Sequence, residues 1–515
     1  MADTWKSWHP TAYADVAPNP PDQYHNAAWH AQSLVYQEMW EYFDREIFDE
    51  TLSNRQDDLK YPLGINLFET ACANHRATLF GEFADDVLPF RVRSRNVDAG
   101  IVETAIDRIW RDSSRNSILL ENGLLCSILG GAVKRVIWHP VHKKVYVRIV
   151  PADAFFPVWD PDDYHNLLEA FIAYQVDGMT AKRRFNVDVP DDQGLHLVSE
   201  RWTPEVIEVT VGGEPAYWDR GHSFPMSGRN PYIDPLSQQG VIPIEYFPRD
   251  RAGSFYGIPL GKNALRMQDY YNEKAADLGD AVLEATHQYK FLRNRPGGTK
   301  GLERLTRTGL NNLGMGTPGK DAPEVFAIKG GDIPAGTVEW LNNVLMLARA
   351  AMHTPPVSYG VDEGSQRSAL TLAFRMWPLS SAVRATRGYW IDNFRALHRK
   401  MIIVAATKGG YNLTSRHAEY DVLPVWAPML PRDREGEVNE VVVRKANGLI
   451  SVYHALELLE DRETEWIDEE QARIDADAKK EADTQVRIVK ANQTQQQSGQ
   501  GKPKPKPQSN STAAS

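Results

Sequence analysis

The stretch from Val338 to Thr407 constrains this chain most, because it reads as a helix, an exposed loop and a long interrupted helix. Val338, Leu341, Leu345, Ala348 and Met352 recur at helical spacing and predict one apolar stripe. Pro355-Pro356 stops that helix, since proline lacks the backbone donor and clashes with the preceding turn. Val357 to Arg367 (VSYGVDEGSQR) is polar, holds Gly360 and Gly364, and predicts an exposed loop. A helical pattern returns at Ser368 and is interrupted at Pro378. Beyond it Leu379, Val383, Thr386, Trp390, Phe394, Leu397 and Met401 form an inward stripe, with Arg384, Arg387, Arg395 and Arg399 off it. Taken alone, these are two core helices joined by a surface loop.

The flanks add context. Residues 1–30 are polar and proline-rich, an arm rather than a domain. Helical patterning covers Gln32–Asp49, Ile65–Phe83, Ala99–Trp110 and Ser117–Leu129, with Leu88–Arg95 as a strand. The period then changes. Ala132–Trp138 and Lys144–Val150 predict a hairpin across HPVH, and Pro151–Asp160 reads as a connection. Leu167–Val176, Leu195–Trp202, Val206–Val211 and Glu214–Trp218 continue as strands, so helices precede a mostly antiparallel sheet in an α+β domain. Leu260 to about Leu292 reads as one long helix, with Leu265, Tyr271, Ala275, Leu278, Val282 and Ala285 apolar. A glycine-rich module spans 294–335, with Val325–Ile328 as a strand. After a strand at Tyr420–Leu423, Glu435–Ala446, Val452–Leu459 and Glu465–Val489 predict three helices, Ser451 capping the second. From about Gln493 the glutamine, serine and KPKPKP composition predicts disorder.

At 515 residues and 42% hydrophobic the chain can bury roughly three domains' worth of core. Its net charge of −10 argues against a protein that coats nucleic acid, where phosphates must be neutralised. A conduit that DNA slides past is compatible with it. Cys72 and Cys126 predict buried free thiols and a reducing compartment. No secretory signal and no apolar run of membrane-spanning length stands out.

Motifs for catalysis are weak. Gly314, Gly316 and Gly319 match a dinucleotide fingerprint by letters, but Pro318 interrupts it and no βαβ unit surrounds it. GIPLGK, Gly257 to Lys262, is too short for a phosphate loop and Asn263 replaces the Ser/Thr that would hold magnesium. His139 and His142 lack further ligands and read as exposed turn histidines. No cofactor, metal or acid/base set emerges. The cluster Lys290, Arg293, Arg295, Lys300, Arg304 and Arg307 is either a solvated face or a docking patch for an acidic or phosphate-bearing partner. Arg367 beside Asp362 and Glu363 is either a phosphate contact or a surface ion pair.

Three segments carry a family likeness: YGIPLGKNALRMQDYYNEKAADL (Tyr256 to Leu278), TPPVSYGVDEGSQRSALTLAFRMWPL (Thr354 to Leu379) and LPRDREGEVNEVVVRKANGLISVYHALELL (Leu430 to Leu459). In this order the chain resembles the portal proteins of tailed double-stranded DNA bacteriophages. The resemblance implies an α+β portal fold that assembles into a ring, with a wing at 31–257, stem helices at 258–293 and 336–354 and a clip between them at 294–335. A tunnel loop at 355–369 would face the DNA channel. The long wing helix and its return would cover 370–431, bending at Pro378. A helical crown would cover 432–490, leaving the arm at 1–30 and a disordered basic tail at 491–515. It further implies a dodecamer at one capsid vertex, in the virion and earlier in the host cytoplasm, with no catalytic site of its own. Partners would be the terminase large subunit, a head-completion adaptor, the major capsid protein and a scaffolding protein, with double-stranded DNA passing through and no membrane. Channel-loop candidates are Ser358, Asp362, Glu363, Ser365, Gln366 and Arg367, with Arg367 first and the two acids set to repel DNA or pair between subunits. Docking candidates on the clip are Arg293, Arg295, Lys300, Arg304 and Arg307. Alternatives are another phage head–tail connector or minor capsid protein and a cytosolic enzyme. A ring ATPase is opposed by the missing phosphate loop.

Overall fold

The helical period gives way to the strand period at Gly130, and the chain turns there with φ at +79°. The computed structural model describes residues 27–44, 64–82, 86–93, 97–286, 289–293, 310–312, 324–328, 335–361, 369–429, 434–460 and 464–498. Before Gly130 stand helices α1 (Ala27–Phe43) and α2 (Leu67–Phe80), strand β1 (Phe90–Val92) and helices α3 (Val97–Asp112) and α4 (Arg115–Leu129). Asn66 caps α2 by accepting from the Glu69 amide.

After it, β2 (Gly131–His139) and β3 (Lys144–Pro151) form the anticipated hairpin, with Val136 opposite Val147. A third strand, β10 (Ile244–Pro248), pairs antiparallel with β2; it was not anticipated. A second, six-stranded antiparallel sheet runs β4 (Phe155–Trp159), β5 (Leu167–Asp177), β6 (Leu195–Trp202), β7 (Val206–Val211) and β8 (Glu214–Pro215), with β9 (Gly228–Arg229) pairing β7. Phe155–Trp159 is therefore a strand, not a connection. The short α5 (Gly178–Arg184), capped by Asp177, follows β5.

The long helix read through Leu292 ends earlier, as α6 (Leu265–Thr286). Tyr289–Arg293 becomes β11, pairing with β12 (Leu310–Asn312) in parallel and β13 (Glu324–Ile328) antiparallel. Tyr289 and Phe291 suit a strand better than a helix end. Next come α7 (Ala335–Ala351), α8 (Ala369–Arg375), α9 (Trp377–Lys408) and β14 (Val422–Pro424), the last paired with β1.

Helix α9 fills the middle of this first unit. Leu379, Val383, Thr386, Trp390, Phe394, Leu397 and Met401 are all buried. Its rings meet Phe80 of α2, Phe90 of β1 and Phe247 of β10. Arg387, assigned to the outer face from its spacing, is buried as well. It donates to the carbonyls of Leu79 (2.9 Å), Thr78 (3.3 Å) and Ala427 (2.8 Å). The first two are last-turn carbonyls of α2, which have no partner within their own helix. The break before α9 falls at Met376, and Pro378 sits in the first turn, where its missing N–H is not needed.

The chain divides into two units, 1–430 and 431–515. The second holds α10 (Arg434–Ala446), α11 (Val452–Glu460) and α12 (Thr464–Ser498). Ser451 caps α11 through the His454 amide at 3.1 Å. Helix α12 runs past Val489 to Ser498. Among the described residues no helix is long and apolar enough to cross a membrane.

Candidate functional site

Helices α6 and α7 pack side by side, and Tyr270 meets Trp340 edge-on at 5.3 Å between ring centroids. How α6 joins the body of its unit departs from the sequence reading. Its buried side is Leu265, Gln268, Asn272 and Ala276, one position per turn, and two of the four are polar. Gln268 Oε1 accepts from the Phe68 amide at 2.9 Å, a first-turn donor of α2. Asn272 exchanges two bonds with the Ile65 backbone, accepting at 3.0 Å and donating at 3.1 Å. The Tyr42 hydroxyl donates to Asp269. The anticipated apolar positions Tyr271, Ala275 and Leu278 are only half-buried, and Val282 is exposed.

Apolar side chains thus remain on the outside of the hairpin. Met346 is 57% exposed, Leu347 55%, Val338 49% and Trp340 42%. Val338 was placed on the inward stripe of α7; only Leu341, Ala348 and Met352 of that stripe are buried, with Leu345 half-buried. On α8 and the start of α9, Phe374 is 70% and Trp377 55% exposed. Single exposed apolar residues need no explanation, but this many on one pair of helices make an apolar face among the described residues.

The base of the loop after α7 is fixed. Buried Thr354 bonds back to the Arg349 carbonyl through its amide at 2.9 Å. Pro356–Tyr359 forms one 3-10 turn closed by Gly360 at φ +76°. Ser358 Oγ donates to the Pro355 carbonyl at 2.7 Å and receives Asn74 Nδ2 at 3.4 Å, so this candidate is tied to α2. Asp362, Glu363, Ser365, Gln366 and Arg367 lie outside the described residues, as do Arg295, Lys300, Arg304, Arg307 and the glycines at 314, 316 and 319. Arg293 is the last residue of β11, opposite Glu324.

Chemistry-bearing groups elsewhere are mostly structural. His75 Nδ1 lies 2.9 Å from Ser127 Oγ, but both are fully buried, and burial holds the His75 pKa down to about 3. A serine–histidine pair with no access to substrate is a core polar link. Cys72 and Cys126 are free and buried as anticipated, and burial raises both thiol pKa values, Cys126 to about 12. Among the described residues no cluster of His, Cys, Asp and Glu could hold a metal.

One feature escaped the sequence. A cavity of about 800 Å³ lies between the β10-β2-β3 sheet and the six-stranded sheet, with Arg135, Arg148 and Arg184 in its wall. His139 lines it, its ring stacked 3.9 Å from that of His142, so it is not a simple exposed turn histidine. These residues come from separate strands and a helix, and no local spacing announces them.

The chain is thus a mixed α+β protein with two packed sheets, a central helix and an externally apolar helical hairpin. No protein-family model matches it, and no curated protein matches it.

Proposed function

We propose that this chain is a portal subunit of a tailed double-stranded DNA bacteriophage. It forms a dodecameric ring at one capsid vertex, through which the genome is packaged and ejected. In this reading α6 and α7 are the stem, the segment between them the clip and the residues after Thr354 the tunnel loop. The clip docks the terminase large subunit and later a head-completion adaptor, the wing meets the capsid, and the chain catalyses nothing itself.

The observation that carries the reading is the hairpin. Helix α6 turns Gln268 and Asn272 to its own body and leaves Val282 outside, while α7 leaves Val338, Trp340, Met346 and Leu347 exposed. A head-to-tail ring covers such faces, because each subunit meets two different neighbours and the contacts close. The net charge of −10 disfavours tight phosphate binding, which suits a channel that DNA must slide through.

Electron microscopy of purified full-length protein in negative stain, with mass photometry alongside, tests this. Rings with a central hole and a mass near twelve subunits are expected. A monodisperse monomer at micromolar concentration ends the proposal.

A further inference from the structure

The cavity between the two sheets carries a charge imbalance that the fold does not use. At its floor Arg135 is ion-paired with Glu200, both almost fully buried. Glu200 also receives the Tyr174 hydroxyl at 3.3 Å, so this carboxylate is committed. Arg135 Nε remains buried with no hydrogen-bond partner among the described residues. A buried guanidinium N–H left unbonded is costly; the Nε itself is closed to solvent, while the Arg135 side chain as a whole lines a space large enough for a ligand.

Two more guanidiniums converge there. Arg148, half-buried on β3, lies over the Tyr146 ring and, among the described residues, reaches the Ser113 carbonyl at 3.5 Å. Arg184, exposed at the end of α5, lines the cavity too, its guanidinium 5.1 Å from the Phe185 ring centroid. Neither forms an ion pair with a carboxylate among the described residues, and Glu200 is the one acidic side chain in the cavity wall. Burial lowers the Arg148 pKa, and the neighbouring charges of Arg184 and Arg135 push it down further. Four cations, Lys408 being the fourth, and one committed carboxylate line the cavity and form a site for a multiply charged anion.

The adjoining wall is aromatic. His139 Nδ1 accepts the His142 amide at 3.2 Å, which leaves its Nε2–H as a donor. Burial, His142 and Arg148 hold its pKa down to about 4, so the ring is neutral at pH 7 and lies near Arg148. The Trp218 ring stands 4.8 Å from it. One face of His139 is taken by His142, and a flat base is stabilised by stacking on the aromatic surface that remains.

We propose that this cavity binds a small phosphorylated aromatic compound of the nucleoside monophosphate class. The phosphate sits among Arg135, Arg148 and Arg184, and the base lies against His139 and Trp218. Phosphate suits the site better than carboxylate, because a near-dianion with three terminal oxygens can accept from the forks of Arg148 and Arg184 at once, with the Arg135–Glu200 pair behind them. The inference is independent of ring formation.

Isothermal titration calorimetry of the full chain with adenosine 5′-monophosphate tests it, with adenosine, inorganic phosphate and a 5′-phosphorylated oligothymidylate as comparison ligands. Saturable binding of the monophosphate is expected, with adenosine and phosphate each at least tenfold weaker. Arg148→Gln and Arg184→Gln should each weaken it at least tenfold while leaving the thermal midpoint unchanged, since neither residue is fully buried. Three outcomes overturn the proposal: no saturable binding at millimolar nucleotide, unchanged affinity in both variants, or tighter binding of the oligonucleotide, which assigns the arginines to a nucleic-acid strand.

Discussion

Gln268 on α6 holds the Phe68 amide of α2 at 2.9 Å, a bond between residues two hundred positions apart. It completes a division of labour at the start of α2, where Asn66 satisfies the Glu69 amide and Gln268 satisfies Phe68. Gln268→Leu removes that acceptor and also the buried Nε2, which has no partner among the described residues. The two effects oppose each other, so a loss of about 1 kcal/mol is expected, at the low end for an orphaned buried donor. Denaturant unfolding measures it; a gain in stability contradicts the assigned role.

The outer face of the hairpin gives a sharper contrast. Met346→Ser with Leu347→Ser alters two side chains that are more than half exposed. Subunit stability should change by no more than about 0.5 kcal/mol. Ring assembly, followed by mass photometry, should fall severalfold. Equal loss of both would mean that these residues serve the subunit's own fold.

Lys134 is fully buried beneath three rings, its Nζ 3.4 Å from the Phe247 centroid, 5.1 Å from Trp390 and 5.2 Å from Phe394. It has no hydrogen-bond partner among the described residues. Cation–π attraction supplies about 2 kcal/mol, which does not offset a desolvation penalty of several kcal/mol. Lys134→Met should therefore stabilise the protein by about 1–3 kcal/mol at pH 7. Burial holds the lysine pKa well below 10.5, so between that lowered value and 10.5 the unfolded chain binds more protons and wild-type stability rises with pH. The advantage of the methionine variant should shrink from pH 7 to pH 10 in paired urea titrations. A constant or growing gap refutes the assignment.

His398 works in the opposite pH range. Its Nδ1–H donates to the Val422 carbonyl at 2.9 Å, and Nε2 accepts from the Trp110 indole at 3.0 Å. Protonation must break the second bond. Burial first, and then the charges of Lys134 and Arg115, hold the pKa down to about 3 against an ordinary 6.5. In that window only the unfolded chain takes up the proton, so stability is lost as pH falls, by about 1.4 kcal/mol per unit for one histidine. His398→Gln should lose stability less steeply than wild type between pH 6 and pH 4. Parallel curves for the two proteins would count against it.

Arg387 spans three backbone carbonyls from α2 and the return segment. Arg387→Met should cost at least about 2 kcal/mol, since the bonds are charge-assisted and the carbonyls are left without their donor. Arg387→Lys keeps the charge but lacks the planar fork, and should recover less than half of the loss. Full recovery by lysine would reduce the role to charge alone.

The residues that were readable in advance share one property: their environment follows from local period. The stripe of α9 obeys a period of 3.6 and buries as expected, and β2 and β3 pair as the anticipated hairpin, although only β3 alternates and Gly131 to Ile137 of β2 are all buried. Strand β10 breaks its own rule, because all five of its residues are buried, Glu245 included. That carboxylate is sustained by Lys400 at 2.7 Å, His165 at 2.6 Å and Asn393 at 2.8 Å, partners scattered over more than two hundred positions. Gln268, Asn272 and Arg387 were assigned outward or passed over for the same reason: each goes inside because a backbone group remote in sequence needs it. The apolar composition of the hairpin was legible, but the direction it faces was not. The cavity was invisible, since Arg135, Arg148 and Arg184 meet only after two sheets have packed.

Strand β1 at Phe90–Val92 finds its partner at Val422–Pro424, and the glycines at 130 and 257 approach so closely that a side chain on either would meet the other's carbonyl. The helix that fills the core arrives only with residues 377–408. During translation the first unit therefore lacks both its closing strand and its central helix until nearly all of it has left the ribosome. At ordinary elongation speeds that wait is on the order of tens of seconds. Throughout it the inner faces of α2, β2 and β10 stand open to water, so the interval in which nascent chains can aggregate closes only when the last segment emerges.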